Sequence, residues 1–200
     1  QPPPSDRQAK LAALVTRLRQ LVDTRIVQQN QRRLIGDADV RASFDAILAV
    51  IARETRAIEA KIAGLISADP LWQALDTAFR SIKGVADRTV ARLMAELPEI
   101  GTLSGKAVGK LGGLAPIARD SGKLAGKRPI RGGREGVRSI LFVVAELVRR
   151  FDPDFQAFHR RLKDAGKPPK VIRVALAHKL LVRLNAKARD VRQQFALQTA

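Results

Sequence analysis

LAVIARETRAIEAKIAGL, running from Leu48 to Leu65, is the stretch that decides the fold. Leu48, Ile51, Thr55, Ile58, Ile62 and Leu65 recur at alternating steps of three and four, the spacing of a helix that lays one seam along another helix. Its partner lies upstream. Ser5 and Gln8 stand at capping-box spacing, and Leu11, Leu14, Val15, Leu18, Leu21 and Val22 then follow in helical steps. Gly36-Asp37-Ala38-Asp39 breaks the first run before the second begins. At about 1.5 Å of rise per residue, the pair predicts a long antiparallel, coiled-coil-like hairpin, roughly 40 Å in length, over residues 1–66. Such an arm supports the rest of the chain, spaces it, or dimerises it.

Ser67-Ala68-Asp69-Pro70 restarts the chain, and residues 67–200 read as a small all-α domain of short helices separated by glycine turns. Helices are expected near 71–80, 88–97, 104–111, 135–150, 154–165 and 170–196, with no strand. Val137, Ile140, Leu141, Val144 and Val148 form one apolar stripe, and Val174, Ala177, Leu181, Leu184, Ala188 and Val191 another; both read as core. Within 79–97, Ser81-Ile82-Lys83-Gly84-Val85-Ala86-Asp87 is similar to a helix-hairpin-helix turn. In that motif glycine lets the backbone approach a DNA phosphate, and the next helix aims its free N–H groups at the oxygens. Lys83 and Gly84 are the candidate contacts. Ala86 stands where the motif has its second glycine, and an Ile-x-Gly-Val turn also serves as a generic αα corner.

Two hundred residues with 46% hydrophobic content can bury a real core. The formal charge of +18, from 37 Lys/Arg against 19 Asp/Glu, points to a polyanion, with nucleic acid ahead of an acidic membrane surface. That charge is uneven: residues 101–139 carry 9 basic and 2 acidic groups and residues 140–200 carry 13 and 5, so the positive field lies in the second half. No run of eighteen apolar residues exists, so no membrane span is expected. The opening QPPPSDRQAK has neither a signal core nor an initiating Met, which implies a piece of a longer chain. Absence of cysteine excludes disulfides and thiolate metal sites, and His159 and His178 alone cannot build a histidine-rich centre, so no metal site is expected. With no Tyr and a single Trp72, phosphate contact is favoured over base stacking on an aromatic platform.

The functional signal sits in the basic loop at 115–138, APIARDSGKLAGKRPIRGGREGVR, which sets one serine and several glycines among seven Lys/Arg and only two acids. Glycine-exposed N–H groups and cationic side chains are the two kinds of donor that grip a phosphodiester, and a serine among them could attack one. A solvated basic loop is the plain alternative. Gly132 and Gly133 also suit a left-handed turn before the helix that starts at Glu135. On the last helix Lys179, Arg183 and Lys187 repeat every four residues and share a face, which suits a nucleic-acid backbone or simply solvent.

Taken in order, IKGVADRTVARLMAELPEIG (Ile82–Gly101), LGGLAPIARDSGKLAGKRPIRGGREGVR (Leu111–Arg138), FDPDFQAFHRRLKDAGKPPKV (Phe151–Val171) and HKLLVRLNA (His178–Ala186) resemble the C-terminal half of an insertion-sequence transposase. The family is the IS one-ten, one-sixteen and nine-oh-two group, related to the Piv DNA invertases. The resemblance implies an all-α domain that carries a serine nucleophile and follows an RNase-H-like domain with a DEDD carboxylate set. It makes Ser121 the residue that attacks the scissile phosphodiester and forms a phosphoserine link. Further implications are Mg²⁺ held by the absent DEDD domain, donor and target DNA, a bridge RNA guide, a homo-oligomer formed through the helical arm, and a cytoplasmic, nucleoid-associated setting in bacteria.

The chemistry of the residues agrees with half of an active site. Arg119, Lys123, Lys127, Arg128, Arg131, Arg134 and Arg138 can offset charge gathering on phosphoryl oxygens. A serine also needs a base or metal, and neither His159 nor His178 has the spacing of one; structural or surface roles fit both better. This part of the chain alone is therefore expected to bind nucleic acid without cutting it. The competing readings are a non-catalytic helix-hairpin-helix DNA- or RNA-binding module, in which Ser121 is incidental, and a structural protein that oligomerises through its hairpin.

Overall fold

The computed structural model describes residues 5–117 and 129–198, which form two compact units, Gln1–Asp69 and Pro70–Ala200. In the first unit α1 (Asp6–Arg33) and α2 (Ala38–Ser67) pack together. Each helix starts on a side-chain oxygen that satisfies an otherwise free backbone donor. Ser5 accepts from the Gln8 N–H at 3.3 Å and Asp37 from the Val40 N–H at 2.9 Å. Arg32 grips both carboxylate oxygens of Asp45, at 2.6 and 2.9 Å, beside the turn, and Arg7 pairs with Asp69 at the opposite end. Those two pairs fix the helices as antiparallel. Leu11, Val15, Leu18 and Leu21 of α1 and Ile51, Thr55, Ile62 and Ile66 of α2 are buried, whereas no residue from 22 to 50 is.

Among its described residues the second unit has six helices: α3 (Pro70–Arg80), α4 (Asp87–Glu96), α5 (Gly105–Leu111), α6 (Glu135–Phe151), α7 (Pro153–Asp164) and α8 (Pro169–Gln198). The described residues are all-α, as the periodicity implied, with one isolated β-bridge between Pro116 and Ile130. Asp152 accepts from the Phe155 N–H at 3.1 Å and so starts α7, with Pro153 in the first turn where its missing N–H costs nothing.

α8 is the hub, contacted by α3, α5, α6 and α7. Because several helices cover it, its apolar residues do not fall on one stripe. Leu176 and Leu180 are buried together with Ala177, Leu181, Leu184 and Ala188, while Val174 and Val191, expected in the core, are half-exposed. Phe79 and Phe155 are fully enclosed, each contributing about 1.5–3 kcal/mol of burial.

Candidate nucleic-acid interface

The two ends of the basic loop are brought together at a neck. Pro116 bridges Ile130, and the Ile117 N–H donates to the Pro129 carbonyl at 3.1 Å. Behind the neck, Gly113 (φ +67), which follows α5, meets Gly132 (φ +69) and Gly133 (φ +65), which precede α6. A Cβ on Gly133 would fall 2.4 Å from the Gly113 nitrogen, and one on Gly113 would fall 2.4 Å from the Gly132 oxygen. No side chain fits between strands of backbone that close. The Arg134 N–H donates to the Leu111 carbonyl at 2.8 Å, and Arg138 donates to the Gly132 carbonyl at 2.8 Å, so α5, the neck and the start of α6 are tied together. Gly132 itself has open space where a Cβ would stand.

Charge around the neck divides by partner. Arg134 is half-buried, donating to both oxygens of Glu99 at 2.5 and 2.6 Å and to the Glu96 carbonyl at 2.8 Å. The Glu96 carboxylate pairs with Arg92 at 3.1 Å and occupies the space where Gly136 lacks a side chain. Arg131 is exposed. Ser121, Arg119, Lys123, Lys127 and Arg128 lie outside the described residues.

The remaining sequence-selected cations are placed differently. Gly84 has φ +105, and a Cβ there would come within 3.0 Å of the Val148 nitrogen, so its missing side chain admits the backbone of α6. Lys83 lies over the Phe151 ring at 4.8 Å. On α8, Lys179 donates to the Asp154 carbonyl at 2.8 Å, and Arg183 pairs with Asp152 and, at 3.2 Å, with Asp154. Both also contact the Phe155 ring, so this pair fastens the start of α7 to α8. Lys187 is half-exposed. His178 packs over Gly109, whose Cβ would meet its Nε2 at 2.6 Å, and burial holds its pKa below the usual histidine value.

Beside the neck lies a cleft of about 550 Å³, walled by Leu114, Pro116, Pro129 and Ile130 on one side and by Phe158, Val171 and Val174 on the other. Lys170, His178 and Lys179 supply its polar points. The segment from 159 to 173, HRRLKDAGKPPKVIR, rounds the adjacent α7–α8 corner with six Lys/Arg against Asp164 alone. That charge run was the available signal. Arg160, Lys163, Lys167, Lys170 and Arg173 are all exposed.

Residues 76–160 match the model of the family described as Transposase IS116/IS110/IS902 family. The chain is 27% identical over 184 residues to the pilin gene-inverting protein of Moraxella bovis, an alignment covering 90% of this chain and 56% of that protein. The pilin gene-inverting protein of Moraxella lacunata matches to the same extent. An insertion element IS110 uncharacterized 43.6 kDa protein of Streptomyces coelicolor is 29% identical over 150 residues, 74% of this chain and 36% of that protein. The chain thus spans only about half the length of the two pilin gene-inverting proteins.

Proposed function

From a chain whose residues 76–160 match the Transposase IS116/IS110/IS902 family, we propose a recombinase region that binds nucleic acid and supplies a serine nucleophile for DNA transposition. The observation that carries this reading is the coincidence of the family match with the neck: the matched segment contains the whole basic loop, whose ends meet beside the start of α6. The proposed chemistry is a transesterification. A bond forms from the Ser121 oxygen to phosphorus, the bond from phosphorus to the leaving sugar oxygen breaks, and the serine proton ends on that oxygen. Arg131 and the cations of the loop offset the charge on the phosphoryl oxygens.

Among the described residues no group of three or more His, Asp or Glu side chains could hold a metal ion. The Mg²⁺ that the family implies is assigned to the DEDD domain of full-length members. Donor and target DNA, a bridge RNA and a bacterial nucleoid setting belong to the same proposal. No helix among the described residues is long and apolar enough to cross a membrane. Homo-oligomerisation is assigned to the arm, where Ile26, Val27, Ile47 and Val50 are exposed on the half of the hairpin that buries nothing.

The test joins this chain to a DEDD domain and supplies bridge RNA, Mg²⁺ and DNA substrate. Ser121→Ala is expected to abolish the covalent protein–DNA adduct while nucleic-acid affinity is retained. Equal adduct yield from variant and parent would remove Ser121 from the mechanism.

A further inference from the structure

We infer that the cleft between the loop neck and the α7–α8 corner receives one unstacked nucleobase of a bound strand, with the flanking phosphates held by the cations of the corner. The inference rests on the nucleic-acid reading above and adds to it a subsite that reads an unpaired nucleotide.

Size and lining argue for a ligand of this kind. At about 550 Å³ the cleft falls within the range of roughly 300–1,000 Å³ typical of small-molecule sites. Its walls are aliphatic and prolyl side chains together with Phe158, the kind of surface between which an extruded base is held. Polar groups are few. His178 lines the cleft with its Nε2 packed against Gly109, which leaves Nδ1 as the ring nitrogen for a base edge.

Charge identifies the class of the ligand. Lys170 lines the cleft, Lys167 and Arg173 stand three residues from it in sequence on either side, and Arg160 and Lys163 belong to the part of α7 that leads into the same corner. All five are exposed, unlike Lys179 and Arg183, whose charges are engaged by the start of α7. An apolar recess with exposed Lys170 on its lining and a cation-rich helix corner next to it in the chain complements a base carried on a phosphodiester chain, apolar on its faces and anionic at either side. The site also accounts for a chain with 4% aromatic content reading a single strand: it is one recess at a loop neck, where a stacking platform would need several rings.

The experiment titrates this 200-residue chain into duplexes carrying one unpaired 2-aminopurine and into fully paired controls, with DNA and RNA arms to show which strand is read. Binding is expected to raise 2-aminopurine emission and to favour the unpaired site by roughly tenfold, the size of stacking one base on protein. Val174→Asp, which places a charge in the wall, and Ala175→Leu, which enlarges another residue of the lining, should each erase that preference while leaving paired-duplex affinity unchanged. Lys167→Ala should weaken both duplexes alike and reduce the salt slope by about one. Saturated binding with unchanged emission, or equal losses on both duplexes from the cleft variants, overturns the subsite and leaves the nucleic-acid reading standing. Failure to bind any nucleic acid overturns both.

Discussion

Gly133 and Gly113 meet backbone to backbone: a Cβ on Gly133 would lie 2.4 Å from the Gly113 nitrogen, 2.6 Å from its Cα and 2.7 Å from the Leu111 oxygen. Both residues are left-handed, at φ +65 and +67, so an added side chain meets strain as well as a clash. Gly132 separates the two effects, because it shares the left-handed conformation at φ +69 but has nothing within 4 Å of its Cβ position. Gly132→Ala is expected to cost about 1–2 kcal/mol, the strain alone. Gly133→Ala should cost more and should disturb the neck, read as a lower urea midpoint and faster amide exchange at Ile117. Equal costs for the two variants would mean that the glycine contact does not hold the neck.

Much of this architecture is legible in the sequence, because helical period and capping act over a few residues. The three-four spacing from Leu48 to Leu65 yields α2, and Asp152-Pro153 yields the start of α7 with its cap. Pairing of charges is not legible, since it depends on contacts between distant segments. Arg134 finds Glu99 35 residues away and Arg183 finds Asp152 31 residues away. Composition presents both arginines as available to phosphate, yet each already holds a carboxylate. Gly84 shows the same limit: a turn glycine is evident from the sequence, but not that the backbone of α6 would occupy the space beside it. The cleft is not legible either, since Pro116 and Phe158, far apart in sequence, line one recess only in the packed unit.

Arg131 and Arg134 should separate stability from binding. Arg134 holds Glu99 through two hydrogen bonds and is half-buried, so Arg134→Ala removes those two charged bonds and the one to the Glu96 carbonyl. A loss of about 1–3 kcal/mol is expected in chemical denaturation. Exposed Arg131 should behave in the opposite way, with Arg131→Ala near neutral for stability but lowering by about one the slope of log affinity against log salt. Arg134→Lys should rescue little, because an ammonium group cannot reproduce the fork.

Two groups predict separate acid transitions. Burial lowers the His178 pKa, so the folded state prefers neutral imidazole. Its contribution to stability is whole above the unfolded value of about 6.5 and falls as pH drops from there towards the folded value. For Asp152, burial pushes the pKa up, but hydrogen bonds from Arg183 and the Phe155 N–H, with the charge of Arg183, carry it below the ordinary range. That contribution is present above about 3.9, the unfolded value, and is lost as pH falls through the folded one. His178→Gln should flatten the stability profile just below neutrality and Asp152→Asn only the acid limb. A single variant that flattened both regions would contradict the assignment.

Asn185 is the buried polar residue on which the α4–α5 connection depends. Its Oδ1 accepts from the Gly101 N–H at 2.8 Å and its Nδ2 donates to the Leu103 carbonyl at 2.9 Å, so one amide satisfies both a donor and an acceptor of the loop. Arg189 adds a bond to the same Leu103 carbonyl at 2.8 Å, and Arg192 reaches the carbonyls of Ile100 and Pro98 at 2.8 and 3.0 Å. Gly101, at φ +89, leaves room for the backbone of Ala188, where a Cβ would meet the carbonyl carbon at 2.7 Å. Asn185→Leu keeps the volume but strands the Gly101 donor, at a cost of about 1–3 kcal/mol. Asn185→Asp retains the acceptor for Gly101 yet sets a carboxylate against the Leu103 carbonyl, so it should also destabilise, and less so at acidic pH, where the protonated acid can donate again. Urea titrations of the two variants at pH 7 and pH 4.5 measure this, and a pH-independent gap between Asp and Asn would show that the Leu103 bond contributes nothing.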